Sequence, residues 1–136
     1  MPIIEFSRQD ILRSKLITPG WYRIRIDSVS ESLSKDGNST NWPLEGTVLF
    51  NADNGDKEFA GCPAPYWNFN SQPRARGFMI GFFASLGVEV KEDSRFELNN
   101  TIGKELDVFI ENEMYEGRLL NRINHKYRQI RAVESV

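Results

Sequence analysis

The sequence predicts a mainly β domain: a five-stranded Greek-key barrel with one helix between strands three and four, and a short helix ahead of the barrel. Three observations predict it. Residues 21–30 alternate, with Tyr22, Ile24 and Ile26 on one face and Trp21, Arg23, Arg25 and Asp27 on the other. Turn-forming residues recur between such runs, at Pro19-Gly20, Asn54-Gly55 and Glu116-Gly117. One stretch, residues 74–86, breaks the β pattern with an apolar run of helical length closed by Gly87.

Each element has its own justification. Residues 7–16 predict a short helix, because Ser7 can cap it, Asp10 stands at its third position, and Ile11, Leu12 and Leu16 form a partial apolar stripe. Pro19-Gly20 stops it, so residues 1–19 read as a helical extension and 20–133 as the barrel of a single domain spanning 1–136. The first strand is 21–30. A long polar loop over 32–41 contains Ser34-Lys35-Asp36-Gly37-Asn38. The second strand covers 42–51, Asn54-Gly55 turns the chain, and 57–60 return as the third strand. Residues 62–73 carry Pro63, Pro65 and Pro73 and predict an irregular segment. The helix 74–86 carries Phe78, Met79, Ile80, Phe82, Phe83 and Leu86 around most of its circumference, which predicts burial on more than one side, with Phe78, Phe82 and Phe83 in the core. After an acidic connector, 89–100, the fourth strand covers 104–113, with Leu106, Val108 and Ile110 on one face. Following the turn at Glu116-Gly117, the last strand runs 118–131, bulged near Leu119-Leu120. Three strands, a helix and two strands is the order of the oligonucleotide/oligosaccharide-binding (OB) fold. A small sandwich with one helix gives the same string.

Composition narrows the function classes. The 136 residues include 17 Lys and Arg against 19 Asp and Glu, a net charge of −2, with 40% hydrophobic and 26% charged residues. That suits one folded domain and argues against disorder. One Cys and one His exclude a disulfide scaffold and a Cys/His zinc site built from this chain alone. Residues 1–10 carry Glu5, Arg8 and Asp10 and lack a signal-peptide apolar region, and the longest uncharged apolar run, residues 77–88, is too short to span a bilayer. A cytosolic location and no membrane association are therefore expected.

The search for an active site finds little. His125 lies in a basic stretch without a neighbouring carboxylate in sequence and reads as a surface or structural residue. Cys62 has no Lys or Arg within three residues and reads as a small apolar filler. Glu111 and Glu113 alternate along a strand, as a solvated face does, and no Gly-rich phosphate loop is present. No enzymatic activity, cofactor or metal is expected.

Charge distribution is more informative. Residues 59–88 contain no acid but hold Arg74, Arg76 and seven aromatics, and residues 117–132 contain no acid but hold Arg118, Arg122, Lys126, Arg128 and Arg131. Residues 89–116 concentrate nine acids against three bases. Cations for phosphates beside aromatic faces for bases are what a single-stranded nucleic acid requires. The candidate phosphate contacts are Arg23, Arg25, Lys35, Arg74, Arg76, Arg118 and Arg122, and the candidate stacking rings are Trp42, Tyr66, Trp67 and Phe69. Trp67 and Phe69 have a second reading, as rings folded inward to cap the barrel, and Trp42 reads equally as core or platform.

The ordered segments Pro19-Gly20-Trp21-Tyr22 leading into 23–27, Ser34-Lys35-Asp36-Gly37-Asn38, Arg76-Gly77-Phe78 through Leu86-Gly87, Ile102-Gly103-Lys104 and Glu113-Met114-Tyr115-Glu116-Gly117-Arg118 with Asn121 carry a resemblance covering most of the chain. In them the sequence resembles a family of phage-encoded single-stranded-DNA-binding proteins with an OB fold. The resemblance implies coating of single-stranded DNA without strong sequence preference, a polar loop closing over the strand, no catalysis, and the cytoplasm of a bacterial host. Phage replication or recombination proteins are the expected partners, and because a single OB domain of this size gains affinity by lining up along the strand or by oligomerising, a cooperative array or a homo-oligomer is expected. The chain departs from the bacterial housekeeping binders in lacking a flexible acidic tail: it ends Arg131-Ala132-Val133-Glu134-Ser135-Val136. The contrasting expectation is a small structural or adaptor protein that binds another protein through its aromatic loop.

Overall fold

In a computed structural model, the alternation of residues 21–30 becomes strand β1 (Gly20–Val29), with Tyr22, Ile24 and Ile26 buried and Arg25, Asp27 and Ser28 exposed. The structure describes residues 2–86, 91–92 and 97–123. Helix α1 (Arg8–Ser14) opens with the capping box expected of Ser7 and Asp10: the Ser7 hydroxyl accepts the Asp10 amide at 3.1 Å, and Asp10 accepts the Ser7 amide at 2.9 Å. These hydrogen bonds, the backbone one first, hold the Asp10 carboxyl below its ordinary pKa.

The β elements form one antiparallel six-stranded sheet. β1 is central, hydrogen-bonded to β3 (Thr40–Asn51) on one side and β5 (Glu105–Tyr115) on the other, and β6 (Arg118–Ile123) pairs with β5. β2 (Ser32–Leu33) continues β1 in the same register along β3, since Val29 faces Leu44 and Ser32 faces Asn41. β4 (Trp67–Asn70) lies on the other edge of β3. Two register shifts leave Leu49 of β3 and Asp27 of β1 as extra residues. Gly46 is required between them, because a Cβ there would stand 2.6 Å from the Arg25 carbonyl oxygen. The turn at Glu116 and Gly117 has φ of 49° and 78°, both in the left-handed region that a tight hairpin uses.

Three expectations are corrected here. Residues 57–60 are a turn, not the third strand, and Gly61 and Cys62 meet the edge of β3 through backbone bonds with Val48. The strand that follows β3 is instead β4, inside the segment read as irregular. Pro65 and Pro73 flank the strand without entering it, and Pro73 falls at the first turn of α2 (Pro73–Ser85), where its missing N–H costs nothing. The helix α2 is buried on one side only. Phe82 and Phe83 enter the core, while Phe78 and Ile80 are 53% and 52% exposed.

The core lies between the inner sheet face and α2. Tyr22, Ile24, Ile26, Leu44, Val48, Leu106, Val108, Ile110 and Ile123 supply the sheet side. Trp67, Phe69 and Phe82 meet edge to face, with centroids 4.6–5.6 Å apart. Cys62 is buried among them as the expected filler, and burial raises its thiol pKa. Among the described residues, no helix is long and apolar enough to cross a membrane. The last strand is described as far as Ile123, and the rest of the expected strand 118–131, with His125, Lys126, Arg128 and Arg131, lies outside the described residues.

Candidate nucleic-acid interface

The predicted cations fall into two groups. On the outer sheet face, Arg23 donates from Nε to Asp107 at 2.9 Å, and its guanidinium carbon stands 5.3 Å from the centroid of the Phe50 ring. Arg25 pairs with Asp27 at 2.8 Å, and Asp27 also accepts from the Thr47 hydroxyl. Burial opposes ionisation of Asp27, and the bonds from Thr47 and Arg25 outweigh it, so its pKa is lowered. Arg122 on β6 bridges Glu111 at 2.9 Å and Glu113 at 3.0 Å. The pairing with Asp107, Asp27 and Glu113 raises the pKa of Arg23, Arg25 and Arg122 respectively. The acidic strand 104–113, which sequence sets apart from the basic ones, thus lies against β1 and β6 and pairs with Arg23 and Arg122. Arg23, Arg25 and Arg122 each hold a carboxylate partner.

Lys35, Arg74, Arg76 and Arg118 are exposed and make no ion pair among the described residues. Lys35 sits in the loop between β2 and β3, and Arg74 and Arg76 stand in the first turn of α2. Thr40 and Ser71 tie the β2–β3 loop, which carries Lys35, to the start of α2: Ser71 N donates to the Thr40 carbonyl, and the Thr40 amide donates to Ser71 Oγ, both at 2.9 Å. Arg76 Nε donates to the Ser71 carbonyl at 3.0 Å, which aims its guanidinium back over this junction. The loop itself is braced by Asp36, which accepts from the Ser34 hydroxyl and the Asn38 amide, and these bonds lower its pKa. Arg118 stands apart, at the β5–β6 turn.

The aromatic candidates also divide. Trp67 and Phe69 are each 3% exposed and form the core of the β4–α2 contact, so neither presents a face to a base. Tyr66, one residue earlier, is 74% exposed. Trp42 is partly buried, with its Nε1 donating to Glu31 at 2.9 Å. It lines a groove of about 650 Å³ with Arg76, Met79, Ile80 and Phe83 of α2, and with Leu98 of the 3-10 turn Leu98–Thr101. Glu31, Glu97 and Asn99 supply its polar margin.

Sequence reasoning misses the outer face of β3 and β4. Asn41 Oδ1 accepts from Asn68 Nδ2 at 3.0 Å and from Asn70 Nδ2 at 2.7 Å, and Asn70 also donates to the Ser39 hydroxyl. The signal is present in Trp67-Asn68-Phe69-Asn70, a strict alternation that marks both the strand and its two faces. Glu31 has no such signal, because only the fold brings it to Trp42. Among the described residues, no group of three His, Cys, Asp or Glu is arranged to hold a metal. No family model and no curated protein matches the chain.

Proposed function

We propose that this protein is a non-enzymatic single-stranded-DNA-binding module that coats the strand without strong sequence preference during phage DNA replication or recombination. One observation carries the reading: Lys35, Arg74 and Arg76 are exposed and make no ion pair among the described residues, on two segments that Thr40 and Ser71 tie together, and Arg76 lines the groove with Trp42. A phosphate reaching these side chains displaces no carboxylate of the described residues, whereas Arg23, Arg25 and Arg122 would first have to leave one. Trp42 and Tyr66 supply the stacking faces, and stacking accepts every base.

An OB barrel is the architecture we assign to this function. Its support is connectivity: β1 pairs with both β3 and β5, β2 prolongs β1, and α2 falls between β4 and β5. Closure of the sheet into a barrel is part of the proposal. In that fold the faces of strands two and three, with the loops after strands one and four, bind the nucleic acid. Their counterparts are the Asn41, Asn68 and Asn70 face, the loop with Lys35, and the turn before Arg118. The resemblance to phage single-strand binders supplies the setting, a bacterial host cytoplasm with replication or recombination proteins as neighbours, and the small size of one OB domain favours a cooperative array along the strand. The adaptor reading loses most of its aromatic loop, since only Tyr66 of the three rings is exposed.

Fluorescence titration with labelled 30-mer dT and the matching duplex, at about 50 and about 300 mM salt, tests the reading. The expected result is tight single-strand binding that weakens with salt, and much weaker duplex binding. No single-strand binding at low salt overturns it.

A further inference from the structure

The geometry points to the Trp42 groove as a base-selective subsite, one that accepts a nucleobase carrying an exocyclic amine and disfavours thymine and uracil. This rests on the single-strand-binding reading and goes beyond it, because coating alone requires no base preference. The groove, about 650 Å³, has room for one unstacked nucleotide, with Met79 and Phe83 in its apolar lining and Arg76 beside them to meet the phosphate. Beside Ser30 and Asn99, its other polar groups are unusual for a phosphate path: Glu31 and Glu97 are both carboxylates. A carboxylate repels phosphate and accepts hydrogen bonds, so its complement is the donor edge of a base.

Glu31 is the residue we assign to this reading. Its Oε1 accepts from Trp42 Nε1 at 2.9 Å, which fixes the carboxylate against the edge of the indole. Its second oxygen takes no hydrogen bond from the described residues and can accept from a base lying on the ring. Adenine, cytosine and guanine each offer an amine N–H there. Thymine and uracil place carbonyl oxygens on both sides of their one N–H, and these face the carboxylate with like charge.

Oligo(dC) and oligo(dU) isolate the effect, because the two bases have the same ring size and differ at the C4 amine or carbonyl and at the protonation of N3. Titrating 15-mers at neutral pH and low salt should give about five- to tenfold tighter binding of dC. Glu31→Gln keeps an acceptor for Trp42 but presents an amide N–H to the base. In this variant the dC/dU ratio should fall to one or below, while the sum of the indole resonances in an NMR spectrum reports an intact fold. Equal affinity of the wild type for the two 15-mers overturns the inference and leaves the coating function standing. Preference for dC that persists in Glu31→Gln removes Glu31 from the subsite and overturns the assignment. Failure of both oligomers to bind overturns the coating function itself.

Discussion

The carboxamide of Asn121 holds the backbone of Ile17 on both sides: Oδ1 accepts the Ile17 N–H at 2.8 Å, and Nδ2 donates to the Ile17 carbonyl at 2.8 Å. The same Nδ2 donates to Asn112 Oδ1 at 2.8 Å, across the β5–β6 ladder. A side chain on β6 thus satisfies a residue that belongs to no strand. Ile17 is 2% exposed, so its apolar side chain and its backbone polar groups are anchored together, and the N-terminal extension is fastened to the sheet at this point.

Asn121→Ala should therefore destabilise the fold by about 2–6 kcal/mol, because it strips both backbone groups of Ile17 of their partner at about 1–3 kcal/mol each. Urea unfolding followed by near-UV circular dichroism measures it. A loss below about 0.5 kcal/mol, the range of ordinary surface substitutions, would mean that water replaces the carboxamide and the extension is not anchored here.

Gly46→Ala should cost about 1–3 kcal/mol through overpacking. The added methyl would stand 2.6 Å from the Arg25 carbonyl oxygen, a backbone atom that cannot swing aside. Gly77→Ala is the control, since nothing lies within 4 Å of a Cβ there and alanine favours the helix. A Gly46→Ala protein as stable as the wild type would place the β1–β3 contact further apart at the bulge.

The order of elements is legible in the sequence because β1 and β5 alternate through residues 21–26 and 105–110, and Gly and Pro punctuate the strands. The misread stretch, residues 57–73, has a physical explanation. Prolines at 63, 65 and 73 mask a four-residue strand whose alternation survives between them, and residues 57–60 follow a good turn without pairing. Phe78 and Ile80 make α2 look buried all round, and only packing reveals that one side faces outward. The site is half legible. Charge runs along the chain locate the cations but not their partners, because Arg23 meets Asp107 and Arg122 meets Glu111 only through strand pairing.

The Ser34–Asn38 turn should depend on pH below the ordinary carboxylate range. Asp36 accepts from the Ser34 hydroxyl and the Asn38 amide as a carboxylate, so its folded pKa lies below its unfolded value of about 3.9. The sign follows: its contribution is complete above pH ~4 and is lost as pH falls through the lower folded value. Amide shifts of Asn38 and Ser39 followed by NMR from neutral pH downward should move only below pH ~4. A titration of Asp36 at or above the ordinary value would show that the turn is not held this way.

Trp67 and Trp42 should separate stability from binding. Trp67→Phe leaves a void in the Trp67–Phe69–Phe82 cluster and should cost about 1–3 kcal/mol of stability, with affinity for single-stranded DNA within about twofold of wild type. Trp42→Ala should cost about 1–3 kcal/mol of binding through loss of its stacking face. A Trp67→Phe protein that is stable but binds weakly would return the buried ring to the interface.

The two groups of arginines should differ in salt dependence. Each phosphate neutralised on a single strand contributes about 0.7 to the slope of log affinity against log salt. Arg74 and Arg76 make no ion pair among the described residues and are free to neutralise one phosphate each, so Arg74→Ala with Arg76→Ala should lower the slope by about 1.4. Arg25→Ala removes a cation already neutralised by Asp27 and should leave the slope nearly unchanged. Arg122→Ala should do the same, since Glu111 and Glu113 hold it. Affinities at four salt concentrations for each variant give the slopes. Equal losses from both groups would mean that the strand opens the sheet-face ion pairs as it binds, and would move its path from the α2 corner onto β1 and β6.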